Sequence, residues 1–213
     1  MTRDKTKTKK KTKKSKKAPP KRQATVTRTT KETAIELTLD LDGTGQADIA
    51  TGIGFLDHML GALTKHARFD LSLTCKGDLE IDDHHTAEDC ALALGQALDE
   101  ALGERRGITR FGHAYVPLDE ALARAVVDLS GRPWPAIDLG LSRERLGTIA
   151  SENLTHVLQS LAIASRSSLH VDVLKGDNDH HRVEAAFKAT ALALRKAVAR
   201  DDTNQIPSTK GVL

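Results

Sequence analysis

The sequence predicts an α+β fold in which one unit is used twice, and three observations predict it. His84-His85-Thr86-Ala87-Glu88 has a second version 96 positions later, His180-His181-Arg182-Val183-Glu184. Behind each pair runs the same apolar stripe, a helical face made of Ala87, Ala91, Leu98 and Leu102 in one copy and Val183, Phe187, Leu194 and Val198 in the other. Around these helices the alternating segments come in pairs rather than in strict strand–helix alternation, which argues for mixed or antiparallel sheets packed on helices.

The elements follow in order. Residues 25–28 and 33–39 alternate as strands do, and Asp42-Gly43-Thr44-Gly45 is turn material. After Gly52-Ile53-Gly54 a helix is expected over 55–66, then a short strand over 71–74. The first His pair opens a helix that runs to Leu102, where Gly103 stops it. Residues 107–111 link the halves. Strands are expected over 113–117 and 123–129, a break at Gly131-Arg132-Pro133-Trp134-Pro135, and a short strand near Ile137. A helix over 152–164, a strand over 169–173 and a second long helix reaching Arg200 complete the pattern. The organisation is therefore a tail over 1–22, a first half over 23–110 and a second half over 111–213.

The tail carries ten Lys and two Arg against one Asp, so the net charge of +3 hides an acidic body with 20 basic and 28 acidic residues. With no large apolar residue beyond Met1, the tail is expected to be disordered. It has no aromatics to stack on bases, so it reads as a solvated extension in preference to a nucleic-acid tether. Cys75 and Cys90 make no disulfide framework. No apolar run reaches the ~18 residues of a membrane span, and the expected location is the cytoplasm.

Within each His-His-x-x-Glu segment the first His and the Glu lie four residues apart and the second His three, so all three side chains can leave one end of a helix. One such pair alone reads as a polar helix start. Two copies, each with a further His on an upstream helix (His58 and His156), read as metal ligands. The ligand set is His58, His84, His85, Glu88, His156, His180, His181 and Glu184. Imidazole and carboxylate suit a first-row divalent ion, and two groups of three His and one Glu would leave an octahedral ion two open positions.

Thr51-Gly52-Ile53-Gly54-Phe55-Leu56-Asp57-His58-Met59-Leu60, Asp82-Asp83-His84-His85-Thr86-Ala87-Glu88-Asp89, the segment from His180 to Ala189 and the closing Pro207-Ser208-Thr209-Lys210-Gly211 resemble the imidazoleglycerol-phosphate dehydratase family of histidine biosynthesis. The resemblance covers residues 24–213. It departs at Glu80, at Ser168 and in the residues after His156, none of which is a proposed ligand.

That resemblance implies a ribosomal protein S5 domain 2-like duplicated fold. It also implies two Mn²⁺ per active site and a 24-subunit homo-oligomer that shares sites between subunits. The implied reaction dehydrates D-erythro-imidazole glycerol phosphate to imidazole acetol phosphate through a metal-bound imidazolate that expels the hydroxyl next to the ring. Glu32 matches a substrate-contacting Glu and is the first candidate for moving the carbon-bound proton, with His66 the second. Arg110, Arg132, Lys188, Ser208 and Lys210 match the phosphate contacts, and His58 also lies at the substrate. Asp57 would orient His58 or serve as a helix-start charge. A single chain looks too small to gather all eight ligands from both halves into one pocket, which favours pairing one subunit's first half with another's second. The competing reading is a dinuclear metallohydrolase acting on a small phosphoester; a tail-driven nucleic-acid-binding or metal-storage protein is a third.

Overall fold

The computed structural model describes residues 21–201 and 203–213. Of the expected disordered tail, residues 1–20 lie outside the described residues. Arg22, counted with that tail, is anchored: its guanidinium pairs with Asp42 and donates to the Val198 carbonyl.

The first half runs β1 (Gln23–Thr29), β2 (Thr33–Asp40), β3 (Ala47–Ala50), α1 (Gly54–Ala67), β4 (Asp70–Gly77) and α2 (His84–Leu102). The second runs β5 (Phe111–Leu118), β6 (Ala121–Asp128), β7 (Trp134–Asp138), a small hairpin of β8 (Arg145–Leu146) and β9 (Ile149–Ala150), α3 (Ser151–Ala164), β10 (Ser168–Lys175) and α4 (Asp179–Ala197). Apart from the hairpin the two orders are the same. So are the sheets, β1-β2-β4-β3 and β5-β6-β10-β7, antiparallel except where β3 joins β4 and β7 joins β10. The expected duplicated α+β architecture is present.

Several details differ from the sequence reading, among them the unexpected β8–β9 hairpin and the full length of β4. The strand β3 was not expected, because its only partner is β4 and its four residues show no alternation of burial. The strand β7 begins inside the expected break and contains Pro135. As an edge strand it tolerates a residue without an N–H. The last helix stops at Ala197, short of Arg200, because the chain arriving from the first half takes its terminal carbonyls: Arg110 N donates to Ala197 O and Thr109 N to Ala199 O, both at 2.8 Å.

Strand alternation decides which face is buried. In β2, Thr33, Ile35, Leu37 and Leu39 point inward, and in β6, Ala121, Ala123, Ala125 and Val127 do. The two predicted helical stripes are buried along their whole length. Helix α2 packs on β1 and β2, and α4 on β5 and β6. Across the middle, α1 packs against α4 and α2 against α3, so every helix of one half touches a helix of the other. The result is four layers, sheet, two helices, two helices, sheet, around one continuous core.

The α2–α3 crossing is tight. A Cβ on Gly95 would sit 2.6 Å from Ala164 Cβ and 2.8 Å from Leu161 O, so only hydrogen fits there. Cys75 and Cys90 are unbridged thiols in contact with each other. Among the described residues no helix is long and apolar enough to cross a membrane.

Candidate metal centre

Both long helices start in the same way. His84 N donates to Asp82 Oδ1 at 2.6 Å, and His180 N donates to Asn178 Oδ1 at 2.9 Å. A side-chain acceptor two residues upstream thus satisfies one orphan N–H of each first turn and fixes where the ligands emerge.

The cross-half helix pairing then builds two clusters. His58 on α1 meets His180 and Glu184 on α4, and His156 on α3 meets His84 and Glu88 on α2. In each cluster the three ligand atoms all lie within 4.8 Å of one another. Glu184 Oε2 is 3.1 Å from His180 Nε2 and 3.4 Å from His58 Nε2. Glu88 Oε1 is 3.0 Å from His156 Nε2, and its Oε2 is 3.7 Å from His84 Nε2. The His84 and His156 rings stack at 5.0 Å. Two ligands at right angles around an ion ~2.1 Å from each would lie ~3 Å apart, so these spacings suit one divalent ion per cluster. The donors are imidazole and carboxylate with no thiolate, which suits manganese, iron or zinc in an open site.

The two halves meet within a single chain, because each cluster takes its residues from both, but among the described residues no one cluster gathers all eight expected ligands. The remaining expected ligands, His85 and His181, join neither cluster. His85 Nδ1 sits 3.0 Å from Asp78 Oδ2, with Glu32 Oε1 3.8 Å from its Nε2. His181 Nδ1 sits 2.8 Å from Glu120 Oε2, with Asp119 3.7 Å from Nε2. These carboxylates, Asp78 foremost at His85 and Glu120 at His181, hold both imidazoles above the usual histidine range. His181 in turn holds Glu120 down at about 2.

The other expected site residues divide between two places. Lys188 Nζ lies 2.7 Å from Glu184 Oε1, the oxygen turned away from the imidazoles. Burial works against ionisation of Glu184, yet Lys188 and the facing imidazoles hold it below the usual carboxylate range. Burial, and behind it the Lys188 ammonium, holds His66 below the histidine range. Arg110 is already engaged: it forks onto Asp128 at 2.7 and 3.0 Å and donates to Pro207 O at 2.7 Å. Arg132 is exposed, next to Gly131, which packs against the terminal Leu213. Ser208 and Lys210 are joined by a hydrogen bond in the same C-terminal segment. Lys188 lies nine residues before Ala197, the contact of Arg110, about 13 Å along α4. One chain therefore separates Lys188 from the Arg110, Arg132, Ser208 and Lys210 group. Asp57 takes the helix-start role, accepting from Thr51 N at 3.0 Å and Thr51 Oγ1 at 2.6 Å.

Sequence reasoning missed Glu120, Asp78, Asn153 and Phe55. The duplication itself could have found Glu120, which stands just before β6 as Glu32 stands just before β2. Asn153 and Phe55 each lie three residues before an upstream His, a correspondence visible once the halves are aligned.

Comparisons with known proteins point to one family. A family model described as imidazoleglycerol-phosphate dehydratase matches residues 51–194. The imidazoleglycerol-phosphate dehydratase of Phaffia rhodozyma is 57% identical over 199 residues, covering 91% of this chain and 97% of that protein. That of Phytophthora nicotianae is 62% identical over 192 residues, but the matched region is only 42% of its length against 90% of this chain. Among solved structures, IGPD from Pyrococcus furiosus in complex with (S)-C348 superposes with a TM-score of 0.76 at 37% identity, covering 88% of this chain and 100% of that one. The Staphylococcus aureus imidazoleglycerol-phosphate dehydratase gives 0.74 at 36% identity, covering 84% and 98%.

Proposed function

The chain belongs to the imidazoleglycerol-phosphate dehydratase family, the hydro-lyases of histidine biosynthesis, and we propose that it performs that dehydration with two Mn²⁺ per active site held by its paired His/Glu clusters. The observation that carries the metal assignment is that each Glu faces one His from its own helix start and one from the other half. When bound, Mn²⁺ supplies Lewis-acid stabilisation of the charge that builds on a departing hydroxyl.

The chain's own residues do the rest. Glu32, 3.8 Å from His85, is the first candidate to move the carbon-bound proton. His66, kept neutral near pH 7 by its lowered pKa, is the second. His58 offers its imidazole at the edge of one cluster. Arg110, Arg132, Lys188, Ser208 and Lys210 supply the cations and hydroxyl that a phosphate needs.

The reading includes a homo-oligomer of 24 chains with shared sites. Two features support it: His85 and His181 stand outside the clusters of their own chain, and Lys188 stands apart from the other phosphate candidates. Neighbouring copies would complete both sets. A cytoplasmic location is part of the same proposal, and free thiols in contact suit a reducing compartment.

Metal analysis beside a dehydration assay tests the proposal. Two Mn²⁺ per chain, activity lost on chelation and restored by Mn²⁺, and a ketone product that retains its phosphate are expected. Glu184→Ala should lower turnover by about 10³-fold, the equivalent of several kcal/mol of lost charge stabilisation. Full turnover in that variant, or turnover that survives complete chelation, would end the metal assignment. Release of inorganic phosphate would point to hydrolysis.

A further inference from the structure

The two clusters follow one plan but differ in the residues that support them. Three residues before His156 stands Asn153, and three before His58 stands Phe55. Each reaches the first His of the other half's pair. Asn153 Oδ1 lies 2.9 Å from His84 Nδ1, while its Nδ2 donates to Asp83 Oδ2 at 2.9 Å. Phe55 instead meets the His180 ring edge to face, with centroids 5.1 Å apart. Among the described residues no side chain hydrogen-bonds to His180 Nδ1.

A side-chain amide has one donor end and one acceptor end, so its orientation carries information. Asp83 is buried and also accepts from Ala150 N at 2.7 Å and from Arg145, so it takes the NH₂ end of Asn153. The amide oxygen is left facing His84, whose Nδ1 must then bear the proton. That leaves the lone pair on Nε2, the atom turned towards Glu88. Phe55 can fix the plane of the His180 ring but is indifferent to which nitrogen holds the proton.

A second difference points the same way. Glu184 shares an oxygen with the Lys188 ammonium, a like charge for an arriving cation. Among the described residues no Lys or Arg pairs with Glu88.

We propose that Asp83 and Asn153 are positioning residues that hold His84 ready as a ligand, so that His84–Glu88–His156 takes its divalent ion before, and more tightly than, His58–His180–Glu184. This rests on the metal assignment made above. An imidazole already in its binding tautomer and orientation loses less freedom on ligation, and an outer hydrogen bond of this kind raises metal affinity about 10–100-fold.

The test is a titration of the metal-free full-length protein with Mn²⁺, with free ion read by electron paramagnetic resonance. Two unequal binding phases of one ion per chain are expected. Glu88→Ala should remove the tighter phase and Glu184→Ala the weaker. Asn153→Ala should weaken the tighter phase about 10–100-fold and spare the other, while Phe55→Leu leaves the tighter phase in place. Equal phases in the wild type, a tighter phase that survives Glu88→Ala, or an Asn153→Ala variant that weakens neither phase or both alike would overturn the proposal. Should Asn153→Ala fail to fold, the two Glu variants still decide the order of filling. A wild type that binds no ion at all would overturn the metal assignment as well, which separates the two failures.

Discussion

On the outer face of the first sheet stand Gln23, Thr25, Thr27 and Thr38, with Gln46 just ahead of its edge strand β3; at the same places in the second half stand Phe111, His113, Tyr115, Val126 and Trp134. The first set is what water accepts, and Thr25 and Thr38 hydrogen-bond across the strands at 3.1 Å. The second exposes Phe111 and Tyr115 at 57% and Trp134 at 65%, half of the chain's Phe, Tyr and Trp residues. Inward positions tell the opposite story, because both sheets bury small and branched aliphatics against the shared helical layers. A duplicated backbone thus constrains the side that must pack and leaves the other side free to take up separate work. A clustered apolar face of this kind is what the proposed homo-oligomer would cover.

Three sets of substitutions would break or sharpen that comparison. The largest effect is expected inside. Phe187 is fully buried on α4, where its first-half counterpart is the equally buried Ala91. Phe187→Ala should cost about 3–5 kcal/mol in denaturant unfolding, and Ala91→Phe should overpack α2 at a cost of about 1–3 kcal/mol. Were either neutral, the inward sides would be less constrained than the shared core suggests.

Next come the outer faces. Trp134→Ser combined with Tyr115→Thr should change the stability of the chain by no more than about 0.5 kcal/mol, yet reduce particle mass in sedimentation. Thr25→Ala with Thr38→Ala should leave mass unchanged. Equal behaviour of the two pairs would make the faces equivalent.

The smallest effect concerns the turns that follow β2 and β6. Burial raises the Asp42 carboxyl, but Arg22 and Arg200 bring it down to about 2. At the same place in the second half Ser130 has no charge to titrate. A depressed carboxyl contributes stability above its unfolded value and loses it as pH falls through the folded one. The advantage of wild type over Asp42→Asn should therefore be constant above pH ~4 and shrink towards pH ~2 in unfolding curves. Because Asp42 is partly exposed, solvent screening keeps that advantage small.

Much of this was legible from the chain. Strand alternation placed β1, β2, β5 and β6, and two matched stripes placed α2 and α4 with their ligands, because burial on one side leaves a local periodic trace. The short strand β3 left none, since it is made by a partner distant in sequence, and β7 showed only its end near Ile137, because Pro135 reads as a breaker wherever it is not at an edge. The cross-half pairing of α1 with α4 and of α2 with α3 was equally hidden, although it decides which His meets which Glu. Arg110 shows the same limit. Its charge invites a phosphate, but only the fold reveals that Asp128 and Pro207 hold its guanidinium in place.

Gly95 sits about two turns beyond Glu88 on α2, where the backbone of α3 comes within reach of a methyl group. His84 and Glu88 ride on one of these helices and His156 on the other, so the gap across which they would share the proposed ion depends on a hydrogen atom that touches none of them. A saturation screen for lost turnover should therefore flag position 95 alongside the histidines, and a chemist hunting only for ligands would pass over it.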